Sequence, residues 1–357
     1  PSNDVDIYAH DLGYIAIVRK GKLVGFNVTV GGGMGMSHGK EKTYPRLADV
    51  LGFCTVEQAV EVAEKVVLVQ RDHGDREDRL HARLKYTIED RGIKWFKAEV
   101  EKRLGWKFGR RRTFTFDHNG DRYGWVDDAN GNSHYTLFIQ NGRVLDRGDE
   151  KLRTGLREIA EIHEGDFRLT ANQNVIIANV SPEKRPEIEA LLKKHRIDRS
   201  FDKSGLRVNS MACVALPTCG LALAESERYL PDLVTQLDEV IEAAGLKEDA
   251  ITIRMTGCPN GCARPYIAEI AMVGRAPGKY NLYLGGGFVG DRLNKLYKAS
   301  VQEDQLVPLL KPLIESYAKE RESDERFGDF VIRQGVVKPT KNGKSFHKEL
   351  FETAVEA

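Results

Sequence analysis

The chain has 357 residues, enough for two or three domains at roughly 150 residues each and for a substantial core. Lys plus Arg (54) against Asp plus Glu (53) leaves a net charge of +1, so no global field draws it to nucleic acid or to an anionic membrane. Apolar residues at 41% and charged residues at 30% exclude disorder and low complexity, and no apolar run nears the ~20 residues that span a bilayer.

In chain order, residues 14–18 (Tyr-Ile-Ala-Ile-Val) read as a strand, and Gly25-Phe26-Asn27-Val28-Thr29-Val30 reads as a second that ends in Gly31-Gly32-Gly33. Helical periodicity predicts helices over 56–70 and 96–104. Between them, Arg71, Arg76, Arg79, Arg83 and Lys85 crowd a mixed-charge run that, taken alone, reads as a solvated helix face. Trp106-Lys107-Phe108-Gly109-Arg110-Arg111-Arg112 mixes aromatic and basic residues, but without an RNA-binding signature around it a solvated connector is the better reading.

Residues 135–139 and 143–145 read as strands split by Asn141-Gly142, a strong hairpin signal. A helix over 151–163 and strands over 167–170 and 174–178 complete an α+β unit. Further helices are predicted over 182–194, 221–244 and 301–320. One internal repeat is visible: the Phe26-Asn27 run with its triple glycine recurs as Lys279-Tyr280-Asn281-Leu282-Tyr283-Leu284-Gly285-Gly286-Gly287, and a β-rich stretch precedes each copy. The fold expected is therefore α+β: two pseudo-symmetry-related α/β lobes, 1–114 and 181–357, flanking an α+β half-domain at 115–180.

Five Cys in a chain this large favour a reducing compartment over disulfides, and the opening Pro1-Ser2-Asn3-Asp4 has no leader character. A cytoplasmic location is expected, or a plastid in a photosynthetic eukaryote. Cys213 and Cys219 bracket five residues, and Cys258 and Cys262 bracket three. Two short-spaced pairs suit metal ligation, and the wider first loop leans toward an iron–sulfur cluster over zinc. Gly257, Pro259 and Gly261 let the backbone fold tightly around a cofactor. Cys54 has no partner at ligand spacing and reads as a core thiol.

Thr256-Gly257-Cys258-Pro259-Asn260-Gly261-Cys262, Asn209-Ser210-Met211-Ala212-Cys213, and the Gly25-to-Gly33 run together resemble the sulfite reductase hemoprotein family, which includes ferredoxin-dependent nitrite reductase. The resemblance extends over essentially the whole chain and makes the half-domain ferredoxin-like. It implies that Cys213, Cys219, Cys258 and Cys262 hold a 4Fe–4S cluster, with Cys262 also bridging to a siroheme iron. It further implies cofactor contacts from Gly31, Gly32, Gly33 and Asn260. Siroheme carries many carboxyl groups and sulfite is a dianion, so a buried site needs fixed cations. Arg83 and Lys85 match the family's basic positions there and are the expected catalytic pair, with Arg76 and Arg79 as partners. The second triple glycine, Gly285 to Gly287, can equally be a vestige of the repeat.

The resemblance implies six-electron reduction of sulfite to sulfide, with electrons from a flavoprotein reductase or a ferredoxin; no nucleic acid or membrane partner is expected. Nitrite reduction, or a non-catalytic iron–sulfur or zinc module, is the alternative. Family members carry a further N-terminal segment with cations of its own, so the chain is expected to be the C-terminal part of such an enzyme.

Overall fold

The computed structural model describes residues 2–199 and 202–348. β1 (Leu12–Arg19) buries Ile15 and Ile17 and turns back into β2 (Lys22–Val30), while β3 (Asp49–Cys54) pairs antiparallel on the other edge of β2. Val62, Val66 and Val69 of α1 (Ala59–His73) recur at helical spacing and face the same core. α2 (Leu84–Arg91) and α3 (Ile93–Leu104) add Leu84, Ile88, Phe96 and Val100 to it. The mixed-charge run is thus not one solvated helix face: α1 ends at His73, and α2 opens with buried residues.

The middle unit comprises β4 (Gly124–Asp127), β5 (Ser133–Leu137), α4 (Leu152–Ile162), β6 (Asp166–Leu169), β7 (Val175–Val180) and α5 (Arg185–Lys194). Its strands form an antiparallel sheet in the order β6-β7-β5-β4. Ile188 and Leu192 of α5 share one core with Leu137, Ile159 and Ile177, so α5 packs with this sheet although the expected boundary fell at residue 180. The expected hairpin is absent. Asn141 and Gly142 do adopt left-handed backbone, at φ 52° and 71°. However, Asn141 Nδ2 donates to the Glu227 carbonyl at 2.9 Å and Arg143 ion-pairs with the Glu227 carboxylate, which pulls the chain toward the third lobe. The true neighbours of β5 are β4 and β7.

The third lobe comprises β8 (Ser210–Ala212), α6 (Leu230–Ala243), β9 (Ile253–Thr256), β10 (Ile270–Ala276), β11 (Lys279–Leu284), β12 (Lys295–Gln302), α7 (Glu303–Glu320) and α8 (Phe327–Arg333). Its sheet follows chain order, with β8, β9 and β10 parallel and the rest antiparallel. Leu306, Leu310, Ile314 and Tyr317 of α7 seal one face, each aliphatic contributing roughly 1.5–3 kcal/mol by burial. α6 starts at Leu230, not 221, because the Leu223 and Ala224 amides bond the Gly257 carbonyl instead of forming a helical turn.

The repeat is structural. β1-β2-β3-α1 corresponds to β10-β11-β12-α7, and Leu12 opposite Val30 matches Ile270 opposite Leu284. A one-turn helix precedes each copy, Ile7–Ala9 and Pro265–Ile267, led by Asp6 and Arg264, both at φ 50°. These two residues stand at the same position of the two copies.

Candidate functional site

β2 runs directly into the first glycine loop. Gly31 has φ +81°, and a Cβ on Gly32 would lie 2.2 Å from the Tyr8 carbonyl oxygen, so a side chain is excluded there by the protein's own backbone. The second copy behaves alike: Gly285 has φ +87°, and a Cβ on Gly286 would meet the Ala268 carbonyl at 2.2 Å. Packing alone therefore accounts for both middle glycines. Gly33 differs from its counterpart, because its missing side chain leaves room for the Arg83 guanidinium, 2.8 Å from where a Cβ would stand.

Arg83 precedes α2 in extended backbone and donates to Asp11 at 2.6 Å, with 43% of its side chain exposed. Lys85, in the first turn of α2, is fully buried. Its Nζ donates to the carbonyls of Gly33, Gly35 and Tyr44 at 3.2, 2.6 and 2.5 Å, which uses all three of its N–H groups. Burial, and then the nearby Arg83, push its pKa down to about 7. Arg83 thus caps the glycine loop from the open side, and Lys85 ties that loop down from beneath. Arg76 is exposed, donates to the Gln70 and Arg71 carbonyls at the end of α1, and does not join them. Arg79 is also exposed.

The two cysteine pairs come from the ends of adjacent parallel strands. Cys213 follows β8, Cys258 follows β9, and the Gly257 amide donates to Cys213 Sγ at 3.3 Å. Gly257 must lack a side chain, since a Cβ would stand 2.7 Å from both Ala215 Cβ and the Ala224 carbonyl. Cys219 is fixed by its amide on the Ala215 carbonyl at 2.7 Å. Burial raises the pKa of the Cys258 and Cys262 thiols, and the nearby Cys213 and Cys219 raise both further. The described residues nevertheless hold no group of three or more His, Cys, Asp or Glu at single-ion spacing. Four thiol donors are the ligand chemistry that iron–sulfur clusters take. Nearby, Thr256 Oγ1 is buried without a hydrogen-bond partner among the described residues, a hydroxyl that a sulfur acceptor would satisfy. Cys262 is exposed where Cys258 is buried.

The cysteine loop leans on the glycine loop. The Asn260 carbonyl faces Gly35, 3.2 Å from where a Cβ would be, and the Met36 amide donates to the Pro259 carbonyl at 3.1 Å. Cys54 lies on β3 at 1% exposure, its pKa pushed up to about 11 by burial, remote from the other four in the first lobe's core. Sequence reasoning missed Asp6, Arg254 and Arg264, which form a buried charge cluster at the stems of the cysteine loop. Extending the repeat backward by one turn would have aligned Asp6 with Arg264. Arg110, Arg111 and Arg112, expected to be a solvated connector, are exposed and line a cavity of about 720 Å³ with Tyr8, Phe114 and Asp291.

The family model described as "Nitrite and sulphite reductase 4Fe-4S domain" matches residues 1–108 and 208–342. Between them, "Nitrite/Sulfite reductase ferredoxin-like half domain" matches 127–195, a span that includes α5. The chain is 58% identical to the NADPH sulfite reductase hemoprotein beta-component of Geobacillus kaustophilus, over 97% of this chain and 61% of that protein. It is 57% identical to the same component of Staphylococcus epidermidis, over 97% and 60%. Among solved structures, the Mycobacterium tuberculosis NirA protein superposes with a TM-score of 0.77 at 27% identity, over 93% of this chain and 61% of NirA. The chain therefore spans about three fifths of the length of the relatives it matches. Among the described residues, no helix is long and apolar enough to cross a membrane.

Proposed function

Because the chain belongs to the nitrite and sulphite reductase 4Fe-4S domain family, we propose that it forms the part of a sulfite reductase that holds a 4Fe–4S cluster and a siroheme and takes sulfite to sulfide. The observation that carries this reading is the convergence of the Cys258–Cys262 loop, the Cys213 strand end and the Gly33–Gly35 loop under Arg83.

Cys213, Cys219, Cys258 and Cys262 would be the cluster ligands, since soft thiolate donors in two short-spaced pairs suit iron–sulfur chemistry. Cys262, the exposed member of its pair, would be the sulfur shared with the haem iron. When bound, the two groups supply electrons one at a time and an iron site for the substrate oxyanion. Gly31 and Gly32 let the loop pack closely against Ile88 and the Tyr8 carbonyl, Gly33 leaves room for the Arg83 guanidinium, and Asn260 borders the loop from the third lobe. The Arg83 side chain makes no protein hydrogen bond among the described residues beyond Asp11, so its remaining N–H groups are available to carboxylate or sulfite oxygens. Lys85 occupies the Gly33 and Gly35 carbonyls from beneath and so holds the loop in shape. Its direct role as a substrate donor requires it to leave one of its three carbonyls. The middle unit, including α5, braces the third lobe through Arg143 and Glu227.

The electron donor would be a flavoprotein reductase or a ferredoxin, and the naming of the curated relatives favours a donor fed by NADPH. A reducing, cytoplasm-like compartment suits five unpaired thiols. Turnover of the holoenzyme with sulfite and with nitrite under one artificial reductant tests the assignment. Preference for sulfite is expected, and a strong preference for nitrite would overturn the choice of substrate.

A further inference from the structure

Asp6 grips both stems of the cysteine loop. Its carboxylate accepts from Arg254 Nη1 at 2.7 Å, from Arg254 Nη2 at 3.1 Å, and from Arg264 Nε. Arg254 lies in β9 ahead of Cys258, and Arg264 follows Cys262 by two positions. The arginines are also joined to each other, Arg254 Nη1 donating to the Arg264 carbonyl at 3.2 Å.

Arg264 reaches beyond the loop. Its Nη2 donates to the Ala171 carbonyl of the middle unit at 2.7 Å and lies 3.4 Å from the sulfur of Met211, on the strand that leads into Cys213. One carboxylate from the first lobe therefore connects all three units beside both cysteine pairs.

Burial opposes this arrangement, with Asp6 at 1% and Arg254 at 4% exposure. Desolvation pushes the Asp6 carboxyl up, but Arg254 and then Arg264 outweigh it and hold the pKa at about 2. Ion clusters buried this deeply bring little net stability over apolar replacements, so their value lies in the geometry they impose. The repeat sharpens the point. Asp6 and Arg264 occupy one position in the two copies, with the same left-handed backbone before the same one-turn helix. Opposite charges at that position turn the symmetry relation between the lobes into a bond.

We propose that Asp6 is a positioning residue for the cofactor centre: by holding both stems of the Cys258–Cys262 loop, it fixes that loop against the Gly33–Gly35 loop and the Cys213 strand, and so sets the electronic coupling between cluster and siroheme. The inference rests on the assignment of the four cysteines as cluster ligands.

Removing Asp6 alone would strand the buried Arg254 guanidinium and take a partner from the half-buried Arg264, and so confuse misfolding with misplacement. The deciding variant is the triple Asp6→Ser/Arg254→Met/Arg264→Gln, which removes the charges together. In the holoenzyme, circular dichroism and thermal midpoint should match the parent, while the EPR line shape of the reduced centre changes and its midpoint potential shifts. A folded triple variant with the parent's line shape and potential would overturn the proposal. Should that variant not fold, Asp6→Glu moves the carboxylate by one methylene with charge kept. An altered signal is then expected, and an unaltered one counts against the proposal. Failure of the underlying assignment is separately visible, since the parent itself would then lack iron and labile sulfide.

Discussion

The Met36 amide donates to the Pro259 carbonyl across 3.1 Å, tying the glycine loop of the first lobe to the turn between Cys258 and Cys262. These residues are far apart in sequence, one in the first lobe and one in the third, and this bond holds their two loops against each other. Changes in one are therefore expected to be read out in the other.

Cys219→Ser exchanges a thiolate for a harder, less acidic ligand, so the holoprotein should lose most of its iron and labile sulfide. Cys54→Ser, in the first lobe's core, should keep both and lose only about 1–3 kcal/mol of stability through a buried hydroxyl. Metal analysis and urea denaturation of the two variants check this. An intact cluster in Cys219→Ser removes that residue from the ligand set.

Arg83→Ala should leave the fold and the cluster intact, because 43% of the side chain is exposed and its one partner, Asp11, is half-exposed. Loss of a charge-assisted hydrogen bond should weaken anion binding by roughly 10- to 100-fold. Arg83→Lys, which keeps charge but not the planar fork, should recover part of the loss. Sulfite titration of the oxidised holoenzyme, followed optically, measures both.

The glycine pair tests packing against cofactor contact. Gly32→Ala and Gly286→Ala each push a methyl to within 2.2 Å of a carbonyl oxygen, so both should cost about 1–3 kcal/mol of stability as overpacking does. Only Gly32→Ala should also lower siroheme occupancy. Equal siroheme content in the two variants would mean that the first triple glycine serves packing alone.

Glu269 is fully buried, accepting from the Thr252 and Gly328 amides at 2.8 and 3.0 Å, and burial raises its pKa from 4.5 to about 7. Between those values the native state holds a proton that the unfolded state has lost, so stability falls as pH rises. The contribution is fully present below about pH 4.5 and is lost through about pH 7. Glu269→Gln should flatten this slope in urea denaturation across the range, whatever its constant offset. An unchanged slope would place the titration elsewhere.

The periodicity of residues 56–70 and 301–320 foretold α1 and α7 because each buries one clean apolar stripe. Asn141-Gly142 misled because their left-handed turn is real, but the following strand is lost to Glu227, a residue far away in sequence. α2 was hidden because Leu84, Tyr86 and Ile88 alternate with the polar Lys85 and Thr87, and Lys85 is buried by bonding to carbonyls that no local pattern reveals. The two cysteine pairs stand out in the sequence by their spacing, and the fold brings Cys213 and Cys258 to the ends of adjacent parallel strands. Asp6 does not stand out: an acidic residue ahead of the first strand acquires meaning only when Arg254 and Arg264 fold against it.

Iron and acid-labile sulfide, quantified together with the absorption spectrum of the holoprotein isolated without oxygen, test the central claim most directly. About four irons with matching sulfide from the cluster, one further iron, and haem Soret and red bands are predicted. Zinc without sulfide or colour would contradict it.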